Sequence, residues 1–497
     1  MSVSPPVLPP AEAVAGPGWR RVHKVTPVLN AWKAVVAVLA FLAWQVSDQV
    51  TNVPGDLWET VAEYRARAVL AVVGAVVLVA LVAAVYSMLA WRRMRFAVGR
   101  ESVDLHTGIL FRQERHARLS RVQAVDVVQP LLGRLFGLAQ VRVETAGGGE
   151  SNVVIGYLRE PEAQELRNEI MARARYETVP EAAGPDAGPA AAPEVEMGQV
   201  PAGRLVVSLL LSGSMISFLL VLAGLVAAAV VTRSIGPFAG ALPAFIGWGG
   251  YLWGRFAGEF GFRLAISPDG IRLRHGLLET RAQTLPPGRV QAVSLTQSLL
   301  WRRNGWWRVQ VNVAGYGAET PGRQAPVETV LLPVGGRGEA LTALWLVLPD
   351  LGAEDAEALL DAALEGSGGD AGFLPSPRRA RWLDPVTWRR NAVRITGTAL
   401  LMRTGRLSRS LVVVPHGRTQ SLALKQGPLE RRLGLADLFA HSVPGPVTPV
   451  LAHLDADLAG TLLMRQAERA RSARSLEAPE DWRRRVGVPG GGPATTA

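Results

Sequence analysis

An arginine and a glutamine separated by one residue occur three times in the sequence, in a pattern that could bind an anion. The pairs are Arg121 and Gln123, Arg289 and Gln291, and Arg418 and Gln420. A guanidinium can hold a phosphate or carboxylate through two parallel hydrogen bonds, while a neighbouring amide reads an adjacent group. The alternative is structural, with both side chains on one strand face bonding backbone carbonyls. We favour the structural interpretation, because a repeated fold needs its scaffolding residues repeated.

Each pair begins a longer segment, and the three segments align without a gap. They share a second glutamine, a second arginine and a glycine at fixed spacing. These residues are Gln129, Arg134 and Gly137 in the first copy, Gln297, Arg302 and Gly305 in the second, and Gln426, Arg431 and Gly434 in the third. A short helical turn is predicted before the glycine, which suits its left-handed C-terminal cap. All these residues are candidates for either a structural role or partner binding.

The sequence contains no recognisable catalytic motif. It has no cysteine, which excludes disulfides, thiolate metal sites and cysteine nucleophiles. Its seven histidines show no His-Glu-x-x-His pairing, and there is neither a Walker-type phosphate loop nor a Gly-x-Ser-x-Gly nucleophile elbow. We therefore predict a protein that is not an enzyme, with no catalytic residue, no cofactor and no metal site.

The repeated segments lie within repeated patterns of strands. Alternating strands precede each segment and end at Gly108, Gly276 and Gly405. A helical pattern closes each copy, over 161–176, 337–348 and 455–471. Many short strands with one terminal helix predict a small barrel or two packed sheets, capped by that helix.

The composition indicates a membrane protein. Of the 497 residues, 48% are hydrophobic and 19% are charged, and the mean hydropathy is +0.18. Four apolar stretches, over 25–47, 68–90, 205–232 and 235–254, are each long enough to cross the roughly 30 Å of hydrocarbon in a bilayer. They predict four transmembrane helices in two hairpins. The net charge of +11 does not by itself distinguish nucleic acid, acidic proteins and anionic lipid as partners.

Basic residues flank both predicted hairpins on the side of the repeated modules. The positive-inside rule then places both termini and all large polar segments in the cytoplasm. Arginine and tryptophan beside a span suit anionic headgroups and the membrane interface. The membrane-surface candidates are Arg92, Arg93, Arg95 and Arg255 beside the spans, and Trp382, Trp388, Arg389 and Arg390 before the third copy.

The repeat signature, the terminal helices and the paired apolar stretches resemble the bacterial pleckstrin-homology-like (bPH2) membrane proteins of the YdbT type. The resemblance covers 25–471. It implies a pleckstrin-homology (PH)-like fold for each copy, a bent antiparallel sheet or barrel with a C-terminal helix. It also implies action at the cytoplasmic membrane in envelope stress or antimicrobial-peptide resistance, beside a smaller two-span PH-like membrane protein. The loops matching the inositol-phosphate site of eukaryotic PH domains carry one arginine, Arg100, opposed by Glu101 and Asp269, which argues against that ligand.

The predicted fold class is thus an α+β membrane protein with four transmembrane helices in two hairpins and three PH-like domains. The predicted order is a disordered tail (1–24), the first hairpin (25–95), the first PH-like domain (96–177), a linker (178–203), the second hairpin (204–258), the second PH-like domain (259–349), a linker (350–384), the third PH-like domain (385–475) and a flexible tail (476–497).

The predicted function is a non-enzymatic scaffold in the cytoplasmic membrane. Its PH-like domains would bind a protein partner or an anionic lipid surface, and nucleic acid is not an expected partner. The alternative is a transport component or transporter regulator built on the four spans. Apart from Lys33 the apolar stretches carry no charged residue, which counts against a transporter acting alone.

Overall fold

The computed structural model describes residues 18–26, 74, 77–78, 81–82, 85–99, 101–108, 112–145, 153–178, 195–234, 236–267, 270–285, 288–314 and 329–476. Contacts divide the chain into two compact units. The first takes its residues from 1–122, 132–143 and 151–189, and the second from 123–131, 144–150 and 190–497. The predicted first hairpin lies mostly outside the described residues, although residues 85–93 at its end are helical. The predicted tail after 476 lies outside them entirely.

The described part of the first repeat consists of short strands and two helices. They are β1 (Arg20–Arg21), β2 (Arg95–Val98), β3 (Ser102–Thr107), β4 (Gln113–Arg118), β5 (Val122–Pro130), α1 (Leu131–Leu135), β6 (Leu138–Thr145), β7 (Val153–Arg159) and α2 (Glu160–Thr178). In the first unit β1 to β4 form an antiparallel sheet in chain order, and β6 pairs with β7. Strand β1 lies in the predicted disordered tail. It is held there by pairing with β2 and by Arg20, whose guanidinium is 3.0 Å from Glu169.

The second repeat begins with a strand, and three helices follow before the next strand of its sheet. Its elements are β8 (Val195–Gln199), α3 (Ala202–Leu210), α4 (Gly213–Thr232), α5 (Gly236–Glu259), β9 (Arg263–Ser267), β10 (Gly270–His275), β11 (Glu279–Leu285), β12 (Val290–Gln297), β13 (Trp307–Val313), β14 (Thr329–Gly335) and α6 (Arg337–Val347). Strand β8 lies within the predicted 178–203 linker and pairs with β9.

The third repeat follows the same order of strands and ends on the longest of the three terminal helices among the described residues. Its elements are α7 (Ala356–Leu364), β15 (Leu374–Pro375), β16 (Ala392–Ile395), β17 (Ala399–Thr404), β18 (Arg409–Pro415), β19 (Ser421–Lys425), α8 (Pro428–Leu433), β20 (Leu435–His441), β21 (Val450–Asp455) and α9 (Ala456–Leu476). Strands β19 to β21 form a separate antiparallel sheet.

Helix α4 is apolar along its whole length. Among the described residues it is the one helix with the length and composition to cross a membrane, and none of its residues is buried. It packs on α5, where Phe218 meets Phe245 and Trp248 edge-on, each at 5.4 Å between ring centroids. The structure thus gives one clear candidate span, and the other three spans stay predictions.

The second predicted hairpin starts later than the sequence indicates. Residues 202–210 form α3, a separate helix whose Leu205 and Leu209 belong to the buried core of the second unit. Arg204 pairs with Glu339 at 2.7 Å, and the indole N–H of Trp301 donates to the Ser208 carbonyl at 2.9 Å. The apolar stretch from 205 is therefore divided: its first turns cover the sheet, and α4 begins only at Gly213.

Consecutive repeats share sheets, although the sequence pattern predicts three separate PH-like domains. Strand β12 of the second repeat pairs with β13 on one side and with β18 of the third repeat on the other. In the same way β5 of the first repeat pairs with β11 of the second. Each of these joints is antiparallel and joins the second half of one repeat to the first half of the next.

The sheet shared by the second and third repeats has a core on each face. Leu401 and Val413 belong to one buried cluster, while Leu400, Val412 and Val414 belong to another. Because successive strand residues point to opposite faces, strands buried on both sides read as unbroken apolar runs. Strand β18 has such a run over 411–414.

The predicted linker over 350–384 contains an ordered helix. The C-terminal half of α7 is largely buried, including Leu359, Leu360 and Leu364. Two buried arginines donate to carbonyls at that end: Arg390 to Ala363, Leu364 and Gly366, and Arg403 to Ala362 and Gly368. The acidic and glycine-rich composition of this segment predicted a linker. The segment is ordered instead because the apolar residues of α7 pack into the core.

Candidate functional site

The second glutamine of the signature closes the turn in the second and third repeats. The side-chain N–H of Gln297 donates to the Trp306 carbonyl at 3.2 Å, and that of Gln426 donates to the Leu435 carbonyl at 2.8 Å. Each bond spans nine residues, so the same geometry recurs at equivalent positions. In these two copies the glutamine joins the end of one strand to the start of the next.

The signature glycine ends each turn with a left-handed backbone. Gly137, Gly305 and Gly434 have φ of 63°, 61° and 61°. The amide N–H of each donates to the carbonyl of the arginine three residues earlier, at 3.1 to 3.2 Å. Positive φ is costly for other residue types, which explains why glycine recurs there. The equivalent arginines are Arg134, Arg302 and Arg431.

The structure brings signature arginines of different repeats together. Arg289 lies beside Arg418, and its pKa is lowered by burial and by the charge of Arg418. Arg302 donates to the carbonyls of Arg406 and Leu407 in the third repeat, the latter at 3.1 Å. Burial, then Arg409 and Arg406, lower the pKa of Arg302. A negatively charged group near these arginines would be attracted by their positive charges. The arrangement therefore suits the binding of an anion as well as a structural contact.

The remaining Arg-x-Gln residues have different surroundings. Arg121 ends a 3-10 turn in the first unit, and Gln123 lies on β5 with Gln129. Gln291 is buried and its side chain donates to the Arg289 carbonyl at 3.4 Å, whereas Gln420 is exposed. A partner-binding role for any of them stays a prediction.

The end of α5 is fastened to the sheet by contacts that sequence patterns did not predict. Arg308 on β13 pairs with Glu259, the last residue of α5, at 2.7 Å, and Arg255 pairs with the same carboxylate at 3.3 Å. The Glu259 and Arg308 side chains are each 9% exposed. At the β10–β11 turn, the N–H groups of Gly276 and Leu277 donate to the carbonyls of Phe260 and Ala257, both at 2.7 Å. One indication of this attachment was present in the sequence, since Glu259 is an acidic residue at the end of a largely apolar helix.

Two histidines of the second unit are held neutral by their surroundings. His275 shares a 2.6 Å hydrogen bond with the Gly258 carbonyl, and His416 shares one of 3.0 Å with the Thr396 carbonyl. Burial is the main cause that lowers the pKa of both below 6.5, with Arg281 and Arg469 respectively acting in the same direction. Protonation therefore favours the unfolded chain.

We expect the protein to lose stability as the pH falls through about 6.5, the ordinary pKa of histidine in an unfolded chain. Because the folded pKa values are lowered, stability is complete above the unfolded value and is lost as the pH drops below it. Each histidine contributes at most about 1.4 kcal/mol per pH unit. Thermal unfolding of the full chain in micelles measures this slope, and His416→Gln should reduce it. The exposed His441→Gln is the control, and an equal slope in both variants would contradict the assignment.

The membrane-surface candidates differ in how far they are exposed. Arg92, Arg93 and Arg95 are exposed, as are Trp382 and Arg389, whose guanidinium stacks 5.4 Å from the Trp388 ring. Two candidates differ from the prediction. The residue Arg390 is 6% exposed and donates to carbonyls at the end of α7, so it cannot reach headgroups. Arg255 is half-buried and paired with Glu259.

Comparison with known proteins agrees with the internal repeat. The family model described as Bacterial PH domain matches the chain three times, over 28–174, 206–334 and 372–470. The UPF0699 transmembrane protein YdbT of Bacillus subtilis (strain 168) is 21% identical over 344 residues, which cover 63% of this chain and 66% of that protein, just under two thirds of its length. No solved structure matches the chain significantly. The three matches together span most of the sequence, and the chain belongs to the bacterial PH domain family.

Proposed function

We propose that this protein is a non-enzymatic scaffold of the cytoplasmic membrane, which holds PH-like modules at the inner surface for a protein partner. The observation that carries the proposal is α4, a 20-residue apolar helix with no buried residue. Fully burying a leucine or valine is worth about 1.5–3 kcal/mol relative to leaving it in water. Contact with lipid would remove the apolar surface of α4 from water, and no part of the chain that the structure describes does so.

The attachment of α5 supports a fixed position for the modules. Only three residues separate Glu259 at its end from β9, and Arg308, Gly276 and Leu277 hold that end against the sheet. A helix joined to a sheet in this way transmits its orientation to the sheet. If α4 and α5 span the bilayer, the second PH-like module is held directly at the membrane.

The proposed topology has four spans in two hairpins, with both termini and all modules cytoplasmic. It is supported by the basic flanks and by the relative that is named a transmembrane protein. The turn between α4 and α5 would then face outward. The domain boundaries given by the sequence are part of the same proposal.

Single-cysteine labelling tests the topology directly, because the natural chain contains no cysteine. Ser234→Cys lies in the turn after α4, and Ser408→Cys lies in the turn before β18. A membrane-impermeant maleimide should label the first variant in intact cells and the second only after the membrane is permeabilised. The unmodified chain is the control for background. Equal labelling of both variants in intact cells would refute the topology.

We propose as partner a smaller two-span PH-like membrane protein, with the complex acting in envelope stress or antimicrobial-peptide resistance. Crosslinking in intact cells with and without envelope stress, followed by mass spectrometry, tests this. Recovery of such a partner with the full chain, and its loss when the modules are deleted while the spans still insert, would support the scaffold. Recovery of bulk cytosolic proteins alone would contradict it.

A transport role ranks below the scaffold, since α4 contains no charged residue between Gly213 and Thr232. Intramembrane polar groups are what transport pathways usually require. Purified protein in liposomes should therefore show no solute-dependent flux or current, and a measured flux would reverse the ranking.

A further inference from the structure

Three side chains that can ligate a metal converge in the third repeat. Glu430 lies on α8, Asp437 on β20 and His453 on β21. One ligand atom of each lies within 4.8 Å of the others, and Nε2 of His453 is 3.5 Å from Oε1 of Glu430. All three are half-buried, with 15% of the Glu430 side chain and 19% of the His453 side chain exposed, so an ion in solution can reach them.

Backbone contacts orient the two carboxylates. The Gly427 N–H donates to Oε2 of Glu430 at 2.5 Å, which leaves Oε1 facing the histidine. The His453 N–H donates to Oδ1 of Asp437 at 2.8 Å. The register of β20 and β21 shifts at this point, so that Asp437 lies opposite a bulge that contains His453. The ligand atoms are thus held in place by the turn, the strand and the bulge together.

The imidazole of His453 lacks a strong hydrogen-bond partner. Its Nδ1 atom is buried and has no partner among the described residues. The 3.5 Å separation from Glu430 is too long for a strong hydrogen bond at Nε2. A half-buried imidazole with neither nitrogen well bonded, beside two carboxyl groups, is suited to binding a cation.

The PH-like fold does not require these residues at these positions. The residues equivalent to Glu430 and Asp437 in the other repeats are found by counting from the signature glycine. The residue equivalent to His453 is found by counting back from the start of the terminal helix. In the first repeat the corresponding residues are Gly133, Gln140 and Tyr157, and in the second they are Trp301, Arg308 and Val334. Neither set can hold a cation, although both repeats have a register shift at the same place. The cluster is therefore particular to the third repeat.

We propose that Glu430, Asp437 and His453 bind a divalent transition-metal ion, with Zn²⁺ as the best-fitting probe. Imidazole nitrogen with carboxylate oxygen suits Zn²⁺ or Mn²⁺ better than Mg²⁺ or Ca²⁺, which prefer oxygen alone. Tetrahedral ligands about 2.1 Å from Zn²⁺ lie about 3.4 Å from one another, close to the observed His453–Glu430 separation. Three protein ligands leave a position for water or for a group from a partner. The absence of any Cys or His-Glu-x-x-His pattern concealed this site from sequence reasoning, because the ligands come from three separate elements.

The test uses the full chain in micelles, without an affinity tag that binds metal, after removal of metal with a chelator. Titration calorimetry with ZnCl₂ should show one site in the natural protein. Each of Glu430→Gln, Asp437→Asn and His453→Asn should weaken binding at least tenfold. Glutamine and asparagine match the sizes of the two carboxylate side chains and keep one acceptor oxygen each, and asparagine tolerates the φ of 59° at position 453.

The matched control is His441→Asn on the same strand β20, outside the cluster. It should bind Zn²⁺ as the natural protein does. Circular dichroism checks that each variant is folded, and the visible spectrum of the Co²⁺-loaded natural protein gives an independent measure of nitrogen and oxygen ligation. Absence of binding in the natural protein, or equal binding by all three cluster variants, would overturn the proposal.

Discussion

Replacing Glu259 with glutamine should destabilise the second unit by about 3–5 kcal/mol. The change leaves the buried guanidinium of Arg308, 9% exposed, without its anion, and removes the partner of Arg255. In a domain of this size the loss corresponds to a fall of about 6–12 °C in the midpoint of thermal unfolding. Heating the full chain in micelles while following circular dichroism measures it.

Two further variants test that cause. Glu279→Gln removes a more exposed ion pair with Arg281 in the same repeat, in which the two side chains are 36% and 28% exposed, and should change the midpoint little. Arg308→Met alone should be strongly destabilising, but the double variant Glu259→Gln, Arg308→Met should lose less than the sum of the two single losses. Additive losses would mean that the pair does not carry the stability. Protease cleavage between α5 and β9 should increase in the single variants, since the end of the helix is released.

Arg403→Met is expected to have an effect of similar size in the third repeat. Arg403 is fully buried, and its guanidinium donates to the carbonyls of Arg390, Ala362 and Gly368. It also lies 4.6 Å from the Phe373 ring centroid. Methionine fills a similar volume but donates no hydrogen bond, and each buried acceptor left unpaired costs about 1–3 kcal/mol. We expect a total loss of about 3–5 kcal/mol.

Arg406→Met on the same hairpin is the control, because Arg406 is exposed. Its substitution should alter stability by no more than about 0.5 kcal/mol. Thermal unfolding of both variants in the same micelles gives the comparison. A loss at Arg403 no greater than that at Arg406 would show that the buried guanidinium does not hold α7.

The internal repeat made part of this fold accessible from sequence. Equivalent residues recur at fixed spacing, and in the structure Gln297 and Gln426 make the same turn-closing bond while Gly305 and Gly434 have the same left-handed backbone. Local chemistry of this kind depends on neighbours in sequence, so three copies of one pattern reveal it. The family could be recognised for the same reason.

Long-range features were not accessible in this way. The joint between β12 and β18 consists of backbone hydrogen bonds at strand edges, which leave no side-chain signature. Arg390 and Arg389 are neighbours, but one is buried and the other exposed, a difference set by the position of α7. Glu259 and Arg308 are far apart in sequence, and α7 lies in a segment whose overall composition suggested a linker.

The shared sheets also determine when each repeat can complete its sheet during synthesis on the ribosome. Strand β12 is synthesised before its partner β18, which belongs to the next repeat. At roughly 5–20 residues per second, an interval of several seconds passes before that partner is translated. During this time one edge of β12 has no strand to pair with, and unpaired edges invite pairing with other nascent chains. Synthesis that stops after the second repeat leaves that edge permanently open, so each repeat protects the one made before it.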